Sequence, residues 1–452
     1  YPLRRQRQMC IRDRDTNGFS YHFSKEDPLK TRIYTLENGL TIYLSDYKAK
    51  PRVQTFVAVR AGSKDDPNTN TGLAHYLEHI LFKGTSEIGT SDWKKEKVLL
   101  DEIEALFESY KKIPFTDSAA RKEHYSIIDS VSYEASKYAI ANEYDKLLSG
   151  IGAKGTNAYT WFDQTVYIND IPANQIENWA KIESERFSEV VPRLFHTELE
   201  AVYEEKNRGL DNDGRRVWEE VFSALFPSHK YGTQTTIGTI PHLKNPSITA
   251  IKAYFHKHYV AKNMAICLSG DMDLDKTIKI LSEQFSSYPA TAHPNEPKPT
   301  FNPEISTEKL RIVKGPSAES VTLAFKFDGA SSDEALMMEL VSMLLSNSQA
   351  GLIDLNLNLE QKVLGAYSYP LRINDYSMHI LSAQPKTGQT LEDVKALLLS
   401  QLELIGKGEF DDWLLDAIIT DYKLSQTMEM ESNKSRATSF VTNFIRNEPY
   451  TR

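Results

Sequence analysis

A chain of 452 residues is too long for one ordinary hydrophobic core, which predicts two or three domains. Its 40% apolar and 25% charged residues, net charge of −9 and pI near 5.8 read as a globular chain without the basic face a nucleic-acid partner requires. No run is long and apolar enough to span a bilayer, and with only Cys10 and Cys267 neither a disulfide framework nor a cysteine-built zinc site is available.

Residues 1–26 begin with an arginine-rich stretch that has no signal-peptide pattern, and are set aside as a disordered or non-native leader. Folded structure is expected from about Thr31. Arg32 to Leu36, Asn38-Gly39 and Leu40 to Leu44 give a hairpin signal, because Asn-Gly favours a type I′ turn. Val53, Thr55, Val57 and Val59 alternate, predicting a strand over 53–60 with one buried face. A polar loop from Ser63 to Asn70 leads through Thr71-Gly72 into a helix. Between Ser91 and Ser149 two apolar stripes, Leu99, Leu100, Ile103, Leu106, Phe107, Tyr110 and then Ile127, Ile128, Val131, Ala135, Tyr138, predict a helical hairpin. A structural insertion is the favoured reading of it over a lid or docking arm.

A strand is expected from Gly155 to Ile168, then a helix with Trp179, Ile182 and Phe187, an acidic helix from Thr197 to Asn207 and a helix near Val217 to Phe226. Met264 to Ser269 reads as a buried strand. Hairpins mixed with helices favour α+β over a doubly wound sheet. Pro289, Pro294, Pro297, Pro299 and Pro303 mark a linker. Beyond it a strand (321–327), a helix (333–345), a strand (377–383) and a helix (391–405) loosely repeat the first half's element order, but without a histidine pair.

His75-Tyr76-Leu77-Glu78-His79 is the segment that carries chemistry. On a helix, positions i and i+4 share a face, so His75 and His79 can present imidazoles to one ion. Glu78 projects to the same side, where a carboxylate reaches a water at the metal without being a ligand. The plain alternative is a solvated helix face. A zinc hydrolase also wants a third protein ligand, and the acidic helix offers Glu198, Glu200, Glu204 and Glu205. Glu198 and Glu205 lie seven apart on one face, so geometry alone does not choose between them, whereas Glu204 points about 100° from Glu205. His124, His196 and His229 lack ligand spacing to the motif and read as structural or surface residues.

The stretch from Gly62-Ser63 through Thr71-Gly72-Leu73-Ala74-His75-Tyr76-Leu77-Glu78-His79-Ile80-Leu81-Phe82-Lys83-Gly84-Thr85 resembles the signature of the pitrilysin/insulysin family of zinc metallopeptidases, the inverzincins with H-x-x-E-H. Residues 198–205 resemble the family's second motif. The resemblance implies that Glu205 is the third zinc ligand and Glu198 a supporting residue behind it. Thr156-Asn157-Ala158-Tyr159-Thr160 resembles the family's edge strand, which implies that Asn157, Ala158 and Tyr159 pair with the substrate backbone. His79 and Glu205 are 126 residues apart, an unusually long spacing that the helical insertion over 91–149 accounts for.

The expected architecture is therefore α+β, two related domains of mostly antiparallel sheet packed with helices, as in the mitochondrial-processing-peptidase-like metallohydrolase fold. A catalytic zinc-binding domain is expected over 27–290, a Pro-rich linker over 291–305 and a related, truncated, non-catalytic domain over 306–452. The expected function is zinc-dependent hydrolysis of peptides or small proteins, with Glu78 activating water at a Zn²⁺ held by His75, His79 and Glu205. A non-catalytic peptide-binding or scaffold subunit is the rival. Expected partners are a peptide substrate and a C-terminal half or partner subunit completing a chamber; no nucleic acid and no transmembrane segment are expected. The resemblance favours a bacterial periplasm over a cytoplasmic location.

Overall fold

A computed structural model describes residues 11–290, 307–448 and 450. They form two compact units. The first takes its described residues from Tyr1–Arg208, Gln234–Pro294 and Ser432–Arg452, the second from Gly209–Thr233 and Asn295–Glu431. Residues 209–233 thus leave the domain assigned to them by sequence, and the described residues from 432 onward return to the first unit. The linker expected over 291–305 lies outside the described residues.

The sheet of the first unit contains β1 (Ile11–Arg14), β2 (Ser20–Phe23), β3 (Arg32–Thr35), β4 (Thr41–Asp46), β5 (Arg52–Val59), β6 (Lys154–Thr160), β7 (Thr165–Pro172) and β8 (Met264–Gly270). Their order is β1-β2-β3-β4-β8-β5-β7-β6. Only β4 and β8 pair in parallel, with Ile42 opposite Ile266. β1 and β2 lie inside the segment set aside as a leader. β2 earns its place because Tyr21 and Phe23 alternate with Ser20 and His22, and Tyr21 is buried against Tyr34, with ring centroids 5.4 Å apart.

The β3–β4 hairpin forms at the expected place with a different turn. Gly39 has φ +93°, but Asn38 has no positive φ, so the type I′ turn is not made. The Gly39 amide donates to the Leu36 carbonyl at 2.8 Å and the Leu36 amide to the Leu40 carbonyl at 2.9 Å, closing a turn that ends in a left-handed glycine bulge. The Asn38 side-chain amide instead donates to the Phe285 carbonyl at 2.8 Å.

β5 is buried on both faces, not one. Val53, Val57 and Val59 join the main core, while Phe56 and Ala58 alternate to the other face and are as fully buried. That second face is covered by the helix Asn433–Arg446, which packs on β5 and β8 and stacks Phe440 on Tyr43 at 5.7 Å. Burying one such aromatic contributes about 1.5–3 kcal/mol.

The region 91–149 forms the helices Trp93–Tyr110, Ser118–Ser136 and Glu143–Gly150. Leu100, Ile103, Phe107, Tyr110, Ile128 and Ala135 all enter the same core as the sheet. A buried ion pair ties the first of these helices to the chain after residue 80: Arg193 Nε and Nη2 reach Glu96 at 2.7 and 2.8 Å, and Nη1 donates to the Lys83 carbonyl at 2.7 Å.

The second unit contains β9 (Val321–Asp328), β10 (Gly365–Arg372) and β11 (Tyr376–Gln384), an antiparallel sheet in the order β10-β11-β9. The helices Asp333–Leu345 and Leu391–Lys407 pack on it. Asp213–Leu225 joins this unit: Trp218 meets Tyr369 at 6.1 Å and Phe226 stacks on Tyr376 at 5.3 Å. No helix among the described residues is long and apolar enough to cross a membrane.

Candidate metal centre

The H-x-x-E-H segment occupies the helix Leu73–Ile80. Gly72 precedes it at φ +88°, and a Cβ there would meet the Ile237 carbonyl oxygen at 2.7 Å, so only glycine fits. Glycine has no side chain to cap the helix. Asp66 does so from six residues upstream: its fully buried carboxylate accepts from the Gly72 amide at 2.6 Å and the Ala74 amide at 3.0 Å. The buried residues Leu73, Tyr76, Leu77 and Ile80 fix the opposite face in the core.

The acidic helix runs from Phe195 to Leu210 and is joined to the motif helix by Tyr76, whose hydroxyl donates to the Phe195 carbonyl. Their rings meet at 4.7 Å. That junction brings Glu205 over the histidines. One ligand atom each from His75, His79 and Glu205 lies within 4.8 Å of the others, and His75 Nε2 is 3.6 Å from Glu205 Oε2. The two imidazoles stand nearly edge-on, with centroids 4.8 Å apart. Two imidazoles and a carboxylate at this spacing are a donor set that suits zinc. The His75 side chain is 13% exposed and that of Glu205 40%, so the cluster opens to solvent on the glutamate side.

Glu78 is buried, and that desolvation raises its carboxyl above the usual carboxylate range, against the opposing pull of Thr160 and His79. Thr160 Oγ1 donates to Glu78 Oε2 at 2.6 Å, fixing one carboxylate oxygen. The buried Arg186 guanidinium adds its charge to this region from a cage of Tyr144, Phe82 and Tyr167 rings, at 3.9, 4.6 and 4.9 Å.

Glu198 takes a different position from Glu205. Its Oε2 lies 3.3 Å from His79 Nδ1 and its Oε1 2.7 Å from Lys83 Nζ. Burial works to raise its pKa, but the His79 and Lys83 contacts outweigh it and hold the carboxylate below its ordinary value. Glu204 is exposed. His196 faces Asp129 at 2.9 Å, His124 faces the Leu106 carbonyl at 2.9 Å, and His229 faces Asp375 in the second unit at 3.3 Å.

Asn157, Ala158 and Tyr159 lie on β6, the edge strand of the sheet, opposite Ile168, Tyr167 and Val166 of β7. Burial alternates along β6, with Asn157 and Tyr159 exposed. β6 and β7 are two strands of a hairpin where the sequence suggested one continuous strand. Sequence reasoning passed over Lys83, Thr160 and Arg186. The first two stand inside recognised motifs, but nothing in a residue type tells which neighbour its side chain meets.

Residues 41–106, which include the histidine pair, match the family described as Insulinase (Peptidase family M16), and residues 247–422 match Peptidase M16 inactive domain. Zinc protease PqqE of Helicobacter pylori is 22% identical over 445 residues, 96% of this chain and 87% of that protein. Insulin-degrading enzyme of Drosophila melanogaster is 24% identical over 68% of this chain, and mitochondrial-processing peptidase subunit beta of Blastocladiella emersonii 25% identical over 67%. The chain spans only 27% and 53% of those two proteins. Among solved structures, a protease from Helicobacter pylori superposes with a TM-score of 0.74 at 21% identity, covering 92% of this chain and 90% of that one. The first half of the periplasmic protease PqqL from Escherichia coli gives 0.65 at 16% identity, covering 93% and 83%. With two domains of one family matched along its length and the same fold in its structural neighbours, the chain belongs to peptidase family M16, the insulinase family.

Proposed function

We propose that this chain is a zinc-dependent endopeptidase subunit or half, with His75, His79 and Glu205 holding the metal and Glu78 acting as general base. The observation that carries the reading is the convergence of three ligand atoms within 4.8 Å, from two helices far apart in sequence, beside a buried carboxylate. When bound, zinc supplies the Lewis acidity that makes water acidic near neutral pH and polarises the scissile carbonyl. Glu78 takes the proton of the attacking water through the oxygen that Thr160 leaves free, then passes it to the leaving amine. Its raised proton affinity suits that exchange, since a carboxylate at its ordinary value is a weak base at neutral pH.

The substrate, a peptide in extended form, adds to the edge of β6 that is unpaired among the described residues, at Asn157, Ala158 and Tyr159, by main-chain pairing. A second half, on the same polypeptide or another chain, completes the chamber, in keeping with the longer relatives of which this chain spans a quarter to a half. The likeness to an inactive domain supports a scaffold reading only for residues 247–422, and His75, Glu78, His79 and Glu205 all lie outside that stretch. The test is metal content per chain in the wild type and in Glu205→Ala. About one zinc in the wild type, mostly lost in the variant, is expected. A folded wild type without zinc would make the scaffold reading the leading one.

A further inference from the structure

We propose that Lys83 is a positioning residue for the metal centre: it grips one oxygen of Glu198, turns the other onto His79, and so keeps Glu198 out of the ligand set. The inference rests on the zinc reading above. Glu198 and Glu205 are carboxylates seven residues apart on one helix face, both close to the same imidazole pair. Helical geometry treats them alike. What separates them is the cation beside one of them.

Lys83 Nζ lies 2.7 Å from Glu198 Oε1, and their side chains are 20% and 13% exposed, so solvent screens the pair weakly. The other oxygen, Oε2, stands 3.3 Å from His79 Nδ1. With both oxygens engaged, Glu198 accepts a hydrogen from His79 Nδ1, which leaves the other ring nitrogen of His79 with its lone pair for an ion. The base of Lys83 is itself held. Its amide donates to the Ile80 carbonyl at 2.9 Å, and its carbonyl accepts from the buried Arg193 at 2.7 Å. The side chain therefore starts from a fixed point just past the motif helix, four residues after His79. Removing the ammonium frees Glu198 to rotate and releases the imidazole from its fixed orientation.

The experiment is zinc affinity by competition with a chelator on the full chain, comparing Lys83→Met, Lys83→Arg, Glu198→Gln and the Lys83→Met/Glu198→Gln double variant. Lys83→Met is expected to weaken zinc binding about tenfold, the lower end for loss of an outer partner, and Lys83→Arg to recover most of it. The double variant is expected to be no weaker than the worse single one, because both changes break the same link. Lys83→Met also leaves the half-buried Glu198 without its cation, so a modest loss of metal-free stability is expected. Affinity is therefore compared where every metal-free variant is fully folded, and Lys83→Arg, which keeps the cation, is expected to restore that stability. Wild-type affinity in Lys83→Met, additive losses in the double variant, or a loss that merely follows lowered metal-free stability would overturn the inference. Failure of the zinc reading is told apart by the wild type, which would then hold no zinc at all.

Discussion

Glu78 shows how much a single side chain draws from its setting. Its type and spacing make it the candidate base, while its raised proton affinity comes from burial and its orientation from one hydroxyl, that of Thr160. Glu78→Gln keeps the shape and still accepts from Thr160, but cannot take up a proton. The variant is expected to retain zinc and to lose at least about a hundredfold in peptide cleavage, a typical contribution of general-base catalysis. Parallel assays of metal content and hydrolysis check this, and wild-type turnover would remove the role. The histidine pair and Glu78 are legible in the sequence because they are local, held within five residues of one helix. Thr160 lies 82 residues from its partner, and Lys83 is 115 residues from Glu198. Both contacts are closures of the fold, which no spacing rule describes.

Among elements, the motif helix depends on a cap from outside itself. Gly72 is required by the tight approach of the 237–238 backbone, and the first-turn amides then fall to Asp66. Asp66→Ala should destabilise the metal-free protein by about 1–2 kcal/mol, the range for losing a helix cap, and Asp66→Asn by less, because one acceptor oxygen remains. Urea denaturation at constant pH measures both, and an unshifted midpoint in the alanine variant would dismiss the cap. Elements with strong periodicity were readable from sequence alone, among them the hairpin at 32–44, the helices at 333–345 and 391–405 and the strand at 264–269. β1 and β2 were not, since four-residue strands beside an arginine-rich stretch carry little pattern. The turn at Asn38-Gly39 took another form, in which the Asn38 side-chain amide donates to the Phe285 carbonyl.

At the scale of the molecule, the end of the described chain completes the first unit. In the helix Asn433–Arg446, buried Arg436 donates to Ser269 Oγ at 3.1 Å, to Ser45 Oγ at 2.5 Å and to the Leu29 carbonyl at 3.3 Å. Arg436→Ala withdraws a charged donor from buried acceptors on two neighbouring strands, at an expected cost of about 2–3 kcal/mol. A lowered unfolding midpoint of the full chain checks it, and an unchanged one would mean that apolar packing alone seats the helix. The sequence by itself determined the α+β class, the family resemblance, the local histidine pair with Glu78 and the set of carboxylates on the acidic helix. The class and the shared helix faces follow from patterns that repeat every two or 3.6 residues; the resemblance rests on the residues of the motifs themselves. Only the tertiary structure decided that the helix at 433–446 buries the second face of β5, and that Glu205 faces the histidine pair while Glu198 is held by Lys83. It also placed β6 at the sheet edge with Thr160 against Glu78. Each of these is a meeting of segments tens to hundreds of residues apart, fixed by packing and charge pairing that local periodicity does not encode.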